Sequence, residues 1–242
     1  MKKIDKRFAM ISPLDYRYIP RDKKLMRWLK RYNRQLNVYE KIKRIIPDEV
    51  IPRLFSLEEQ LMKISIENSD KKIPRRVDLQ QEGETTVGKI FRGYAKRLNR
   101  RTLGFISTHT GFADLEEAAR NEALADLYYL IASTFSVEAN IGNDIRGHYR
   151  SEISEMGKDY QVNIIGSSTM PHKVNPYEFE NVVSMWKTFI PRVSSAVMAQ
   201  VTEHQGDSTN AFLPDMTYEA LGALCYETKW LEDALKDLKI KV

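Results

Sequence analysis

From Asp114 to Met156 the chain runs for roughly forty residues without a proline, and apolar side chains recur along it every three or four positions. Leu127, Ile131, Phe135, Ile141, Ile145, Tyr149, Ile153 and Met156 fall in one row, with Glu138 among them. A single helix of that length is far above the usual about 11–12 residues, and a seam this long packs against other helices in a bundle or coiled coil. Gly142 and Gly147 weaken the helix by about 1 kcal/mol each relative to alanine without changing its period. The apolar face also exceeds what so short a chain is expected to cover with its own helices. A second copy of the chain is therefore expected against it.

The remaining segments read as helices joined by polar breaks. Asp22 is placed to cap a helix carrying Leu25, Trp28, Leu29, Tyr32, Leu36, Tyr39, Ile42 and Ile45 or Ile46 at helical spacing. Ser56 followed by Glu59 is a capping-box pattern opening a second helix toward Ile66. Polar "NSDKK" and Pro74 mark a break, and a further helix is expected from Thr85 to about Arg101. After Gly157 the periodicity lapses until Asn175 and Pro176, favoured types for a helix cap and first helical position. Pro191 should kink the helix that follows, and a last helix is expected from about Asp215 to Leu238. No alternating run of β-branched residues is long enough to make a sheet. The expectation is an all-α fold in two parts: an N-terminal helical domain over 1–74, and a helical-bundle domain over 75–242 carrying a loop at 157–176.

Composition narrows the function classes. With 42% apolar and 29% charged residues over 242 positions, the chain reads as a globular domain. No stretch is apolar enough to span a bilayer, and the N-terminus has no apolar run of a secretory signal, so a cytoplasmic home and no membrane partner are expected. Cys225 is the lone cysteine and cannot form an internal disulfide. Its half-apolar helical setting suits a small core residue. The 38 basic and 33 acidic residues leave a net charge of +5, a mild bias toward anionic partners. Basic runs at 21–46 and 71–76 suit a solvated helix face or a phosphate-binding surface. No nucleic-acid motif accompanies them, so no nucleic acid is expected. No cofactor and no metal are called for.

The segment "GSSTMPHKVNP", residues 166–176, carries the chemistry. It delivers a loop onto the N-terminus of a helix, where peptide dipoles and free N–H groups favour bound anions. Lys173 adds a full positive charge, Asn175 both donates and accepts, and the Ser167 and Ser168 hydroxyls stand in an electropositive setting that favours their activation. Such a group suits holding a carboxylate while a proton is removed beside it. Turn-forming requirements alone account for Gly166, Pro171, Asn175 and Pro176, but not for the order of Ser, Met and Lys.

This segment resembles the signature loop of the fumarase/aspartase superfamily, and His172 in it looks like the adenylosuccinate lyase variant. "SPLDYRY" at 12–18 is similar to the substrate-binding segment near the N-terminus of those lyases. "DLQQEGETTVGKIFRGYAKRL" resembles the second conserved region, whose usual form is T-H-x-Q-x-A-x-x-T-T-x-G. "NDIRGHYRSEISEMG" looks like the helix leading into the signature loop, and "EHQGDSTN" like the nucleotide-contacting segment after it.

The resemblance implies a long-helix bundle and a β-elimination releasing fumarate from adenylosuccinate or the succinyl-carboxamide intermediate of purine synthesis. It implies Ser167 as the base, and Lys173 and Asn175 as holders of the succinyl carboxylate and of the dianion. Arg17 and Tyr18 would contact the nucleotide end, while Thr85, Thr86, Ser168, Met170 and His172 would line the substrate pocket. Active sites in the superfamily form at subunit junctions, so a homotetramer is implied.

The departures from the family are specific. Asp78 stands where the second region's histidine is expected, the other familiar histidine segment is absent, and His204 replaces one of the arginines expected near "EHQGDSTN". Central helices and the C-terminal domain of the family are expected to be missing. His109 or Asp78 would have to substitute for the lost acid. Impaired turnover is the expectation for an enzyme of this kind. The alternative is a non-catalytic truncated relative acting as a helical oligomerisation or nucleotide-binding scaffold.

Overall fold

Asp22 opens the first helix by accepting a hydrogen bond from the Leu25 N–H at 2.9 Å. The structure, a computed structural model, describes residues 22–32, 36–108, 115–158 and 175–242. The first helix, α1 (Lys23–Tyr32), does not continue to Ile46 as the apolar spacing suggested. Asn37 instead starts a separate helix, α2 (Val38–Ile45), its side chain accepting from the Glu40 N–H at 2.9 Å. Helical backbone then continues through a π-helical turn at Ile46–Val50 into α3 (Ile51–Glu67). The wider turn accommodates Pro47, whose missing N–H and bulky ring are poorly tolerated in a regular α-helix. Ser56 therefore lies inside a helix that has already begun, and the Ser56–Glu59 capping pattern marks no start.

The break around Pro74 holds a β-hairpin where strands were not expected. Strands β1 (Lys72–Val77) and β2 (Gln80–Thr86) pair antiparallel, with Ile73 opposite Thr85 and Val77 opposite Gln80. The register is irregular between Pro74 and Arg76, which fits a proline that cannot donate to the ladder. Asp78 and Leu79 form a two-residue turn, both with positive φ (50° and 65°), as a type I′ hairpin turn requires. The strands are mostly polar and exposed, so they carry no alternating apolar pattern, and only Ile73 is buried in the core.

Helix α4 (Val87–Thr108) starts after the hairpin and runs a turn and more past the expected Arg101. The Thr86 hydroxyl accepts from the Lys89 N–H at 3.2 Å and caps it. Gly88 lets α4 meet the end of α3, since a Cβ there would sit 2.6 Å from the Ser65 carbonyl oxygen and 2.6 Å from the Ser69 Cα.

The long seam forms α5 (Glu117–His148), 32 residues, or about 48 Å at 1.5 Å per residue. It stops short of Met156. Ser154 turns back with φ 47°, and the Glu155 N–H bonds the His148 carbonyl at 3.1 Å, closing the helix end. Met156 is buried in a short strand, β3 (Met156–Gly157), paired with β4 (Lys239–Ile240) near the C-terminus.

Helix α6 (Tyr177–Phe189) has Pro176 in the cap position and Asn175 one residue earlier, a shift of one from the expected placement. Pro191 breaks it as anticipated, through a 3₁₀ turn at Ile190–Arg192 into α7 (Val193–Met198). The last helix, α8 (Leu213–Lys236), is buried along most of its length, packs on α2, α3, α5 and α6, and forms the centre of the bundle. All-α architecture therefore holds, with two small two-stranded sheets added.

Leu127, Ile131, Phe135, Ile141 and Ile145 are fully buried. Helices α4, α6, α7 and α8 pack on α5, and Phe135 stacks on Phe189 with centroids 5.3 Å apart. The chain covers this seam itself, contrary to the expectation that a second chain must. Core residues from both sides of position 74 belong to one apolar cluster, and Pro74 lies within β1. Among the described residues no helix is long and apolar enough to cross a membrane.

Candidate active site

The hairpin, the first half of α4 and the end of α5 enclose an open cleft of about 740 Å³. Each wall follows from local sequence. Thr85 reaches it from the end of β2, Lys89, Tyr94 and Arg97 from α4, and Asp144 and His148 from α5. Five cationic side chains line it, Arg75, Arg76, Lys89, Arg97 and Arg150, against the acidic Asp78 and Asp144. That excess of positive charge in a concave site favours an anionic ligand.

Several of these groups are held in place. The Tyr94 hydroxyl donates to Asp144 Oδ2 at 2.9 Å. Burial first, and then the Asp144 carboxylate, push the phenol up, so it stays protonated and keeps donating. Arg97 donates to Asn140 Oδ1 at 3.1 Å, and Arg75 pairs with Glu82 at 2.7 Å on the exposed side of the hairpin.

A bonded polar group lies at the cleft's edge. Arg76 grips Glu155 with two bonds, Nη1 to Oε2 at 2.9 Å and Nη2 to Oε1 at 2.6 Å. His148 Nδ1 lies 2.7 Å from the same Oε2. Burial alone would raise the Glu155 carboxyl, but the bonds from Arg76 and then from His148 outweigh it and hold it below the usual carboxylate range. Three elements of the fold, β1, the end of α5 and the turn before β3, meet in this group.

The root of the segment after residue 158 is fixed separately. Lys158 Nζ lies 2.8 Å from Glu178 Oε1 at the start of α6 and 2.9 Å from Asp237 Oδ2 at the end of α8. Burial opposes its charge, but the two carboxylates outweigh burial and push the ammonium up. The Lys241 N–H adds a bond to the Glu155 carbonyl at 2.9 Å, so the C-terminal strand clasps the same root.

Of the residues singled out in the sequence, Thr85 and Asp78 line the cleft. Asp78 does so from the left-handed turn at the hairpin tip. Thr86 spends its hydroxyl capping α4, and Asn175 is exposed just ahead of α6 and is not among the cleft's lining residues. Arg17, Tyr18, His109, Ser167, Ser168, Met170, His172 and Lys173 lie outside the described residues.

His148, Glu155 and Arg76 were not singled out. His148 and Glu155 are seven apart, a spacing that meets on a helix face only if the helix continues, and here it does not. The turn at 149–154 brings them together instead, and Arg76 comes from a hairpin whose polar strands carry no apolar period. Among the described residues no group of three or more His, Cys, Asp or Glu side chains is arranged to hold a metal ion.

Residues 53–188 match a family described as lyase. The chain is similar to the adenylosuccinate lyase of Pyrococcus horikoshii, 30% identical over 95 residues, covering 39% of this chain and 21% of that protein. It is also similar to the N-acetyl-S-(2-succino)cysteine lyase of Enterococcus italicus, 32% identical over 111 residues, covering 46% of this chain and 22% of that protein. The matched stretches thus span about a fifth of the length of these curated relatives. Among solved structures, the fumarate lyase:delta crystallin of Brucella melitensis superposes with a TM-score of 0.66 over 80% of this chain and 53% of that one. At 18% identity that likeness is one of fold.

Proposed function

Because this chain belongs to the lyase family, within the fumarase/aspartase superfamily, we propose that it eliminates fumarate from a succinyl-bearing substrate. The preferred candidates are adenylosuccinate and the succinyl-carboxamide intermediate of purine synthesis, which makes the chain a carbon–nitrogen lyase in purine biosynthesis. The observation that carries this reading is the cationic cleft lined by Thr85, in the segment that resembles the family's second conserved region. Its charge suits a ligand with two carboxylates and a phosphate.

The roles follow the resemblance. Ser167 removes the proton beside a carboxylate, and Lys173 and Asn175 hold that carboxylate as charge builds on it. Arg17 and Tyr18 contact the nucleotide end. Thr85, Thr86, Ser168, Met170 and His172 complete the pocket. The chain acts as a homotetramer in this reading.

The 32% identity to the N-acetyl-S-(2-succino)cysteine lyase favours a second substrate class, a succinylated thiol, for the same elimination. Fumarate release, followed by its ultraviolet absorbance, decides among the readings when run on both classes with Ser167→Ala as control. Release above the control from adenylosuccinate supports the nitrogen lyase, and release from the thioether alone moves the substrate to the sulfur class. No fumarate from the wild type on any substrate leaves only a non-catalytic scaffold.

A further inference from the structure

Elimination asks for an acid to protonate the departing atom, and the position where the family's histidine is expected carries Asp78 at a hairpin tip. The cleft holds a different imidazole. The His148 side chain is only 13% exposed, and its Nδ1 lies against Glu155 Oε2 at 2.7 Å. Glu155 cannot swing away, because Arg76 holds both of its oxygens. A carboxylate fixed beside one ring nitrogen sets that nitrogen as the N–H donor and orients the ring, which leaves the other as the reactive one. Among the described residues no hydrogen bond occupies His148 Nε2, and the ring lines the same cleft as Thr85.

We infer that His148 is the general acid of this site, with Glu155 and Arg76 as its positioning residues, an inference that rests on the elimination proposed above. A salt bridge between Arg76 and Glu155 would suffice to tie the hairpin to the turn before β3. It does not require an imidazole in the lining of a cationic cleft.

The surroundings suit the role. Arg76 pairs with Glu155 and Arg150 with Glu152 at 3.7 Å, while Lys89 and Arg97 share the lining with Asp78 and Asp144. A substrate with two or more negative charges would lie among these cations, on the lining that His148 shares. In the step itself, a base removes the proton from the carbon next to a carboxylate. The freed electron pair becomes the double bond of fumarate as the bond to the leaving nitrogen breaks. Nitrogen keeps that bond's pair and takes the proton from Nε2, and His148 is left neutral.

His148→Asn is the informative variant, since its side-chain amide can still donate to Glu155 while the Nε2 position is deleted. A thiol, with an ordinary pKa of about 8.5, departs as thiolate without help, whereas a purine or amide nitrogen does not. The variant should therefore lower kcat on adenylosuccinate by about 10²–10⁴-fold with KM little changed. On N-acetyl-S-(2-succino)cysteine its kcat should fall by less than about tenfold, because that departure needs no general acid.

His148→Gln, with the melting temperature of each variant measured alongside, provides a second route if the asparagine variant folds poorly. Equal losses on both substrates, or no loss on the nitrogen substrate, overturn the assignment while leaving the elimination standing. No fumarate from the wild type on either substrate overturns the elimination, and the assignment with it.

Discussion

Glu138 sits in the middle of the α5 seam, fully buried, with the Thr228 hydroxyl donating to its Oε1 at 2.7 Å. Burial pushes its carboxyl up to about 8, so the folded state holds a proton there that the unfolded chain releases near its ordinary value. A raised acid stabilises the fold most at low pH and loses that contribution as pH rises through the folded value. Chemical denaturation of the wild type should show stability falling between pH 5 and 8.5, with this group contributing at most about 1.4 kcal/mol per pH unit. Glu138→Gln should flatten that slope, and an unchanged slope would mean that Glu138 is ionised in the fold. Arg53 shows the opposite arrangement, a buried cation satisfied by Asp22 at 2.6 Å, Glu49 at 2.8 Å and the Cys225 carbonyl at 3.1 Å. Cys225 is buried as its helical context suggested, and burial first among the causes pushes its thiol up to about 12, which leaves it inert.

Elements meet most closely where the hairpin hands over to α4. The Gly88 N–H bonds the Asn68 carbonyl at 3.0 Å, and Ser65 Oγ donates to the Gly88 carbonyl at 2.7 Å, so the ends of α3 and α4 approach backbone to backbone. Gly88→Ala places a methyl against backbone atoms that cannot rotate away. A destabilisation of about 1–3 kcal/mol should follow, seen as a lowered thermal midpoint, and an unaltered midpoint would show that the helix ends can slide apart. The glycine of Thr85-Thr86-Val87-Gly88 therefore has a packing reason independent of any ligand. At the crossing of α5 and α6, a Cβ on Gly142 would come within 3.1 Å of the Phe179 carbonyl, so this glycine's propensity cost is offset by a closer approach.

At the scale of the molecule, the buried α5 seam no longer argues for a second copy. The exposed apolar side chains lie elsewhere, with Val197, Met198 and Val201 at and after α7 exposed by 54%, 66% and 78%. The proposed tetramer should appear in light scattering at micromolar concentration. The double change Met198→Glu and Val201→Glu should shift it toward monomer if this surface contributes, and a compact wild-type monomer would sink the oligomer. The sequence by itself determined the all-α class, the long α5, the cap at Asp22, the break at Pro191 and the span of α8. Those features depend on period, proline and capping chemistry, which act within a few residues. It did not show the hairpin, because polar strands pinned by a type I′ turn carry no apolar alternation. Nor did it show that the seam is self-covered, since coverage depends on how α4, α6, α7 and α8 fold around it. The Arg76–Glu155–His148 group was decided by tertiary structure alone, because its three members become neighbours only when the chain reverses at Ser154 and the hairpin folds back onto the end of α5.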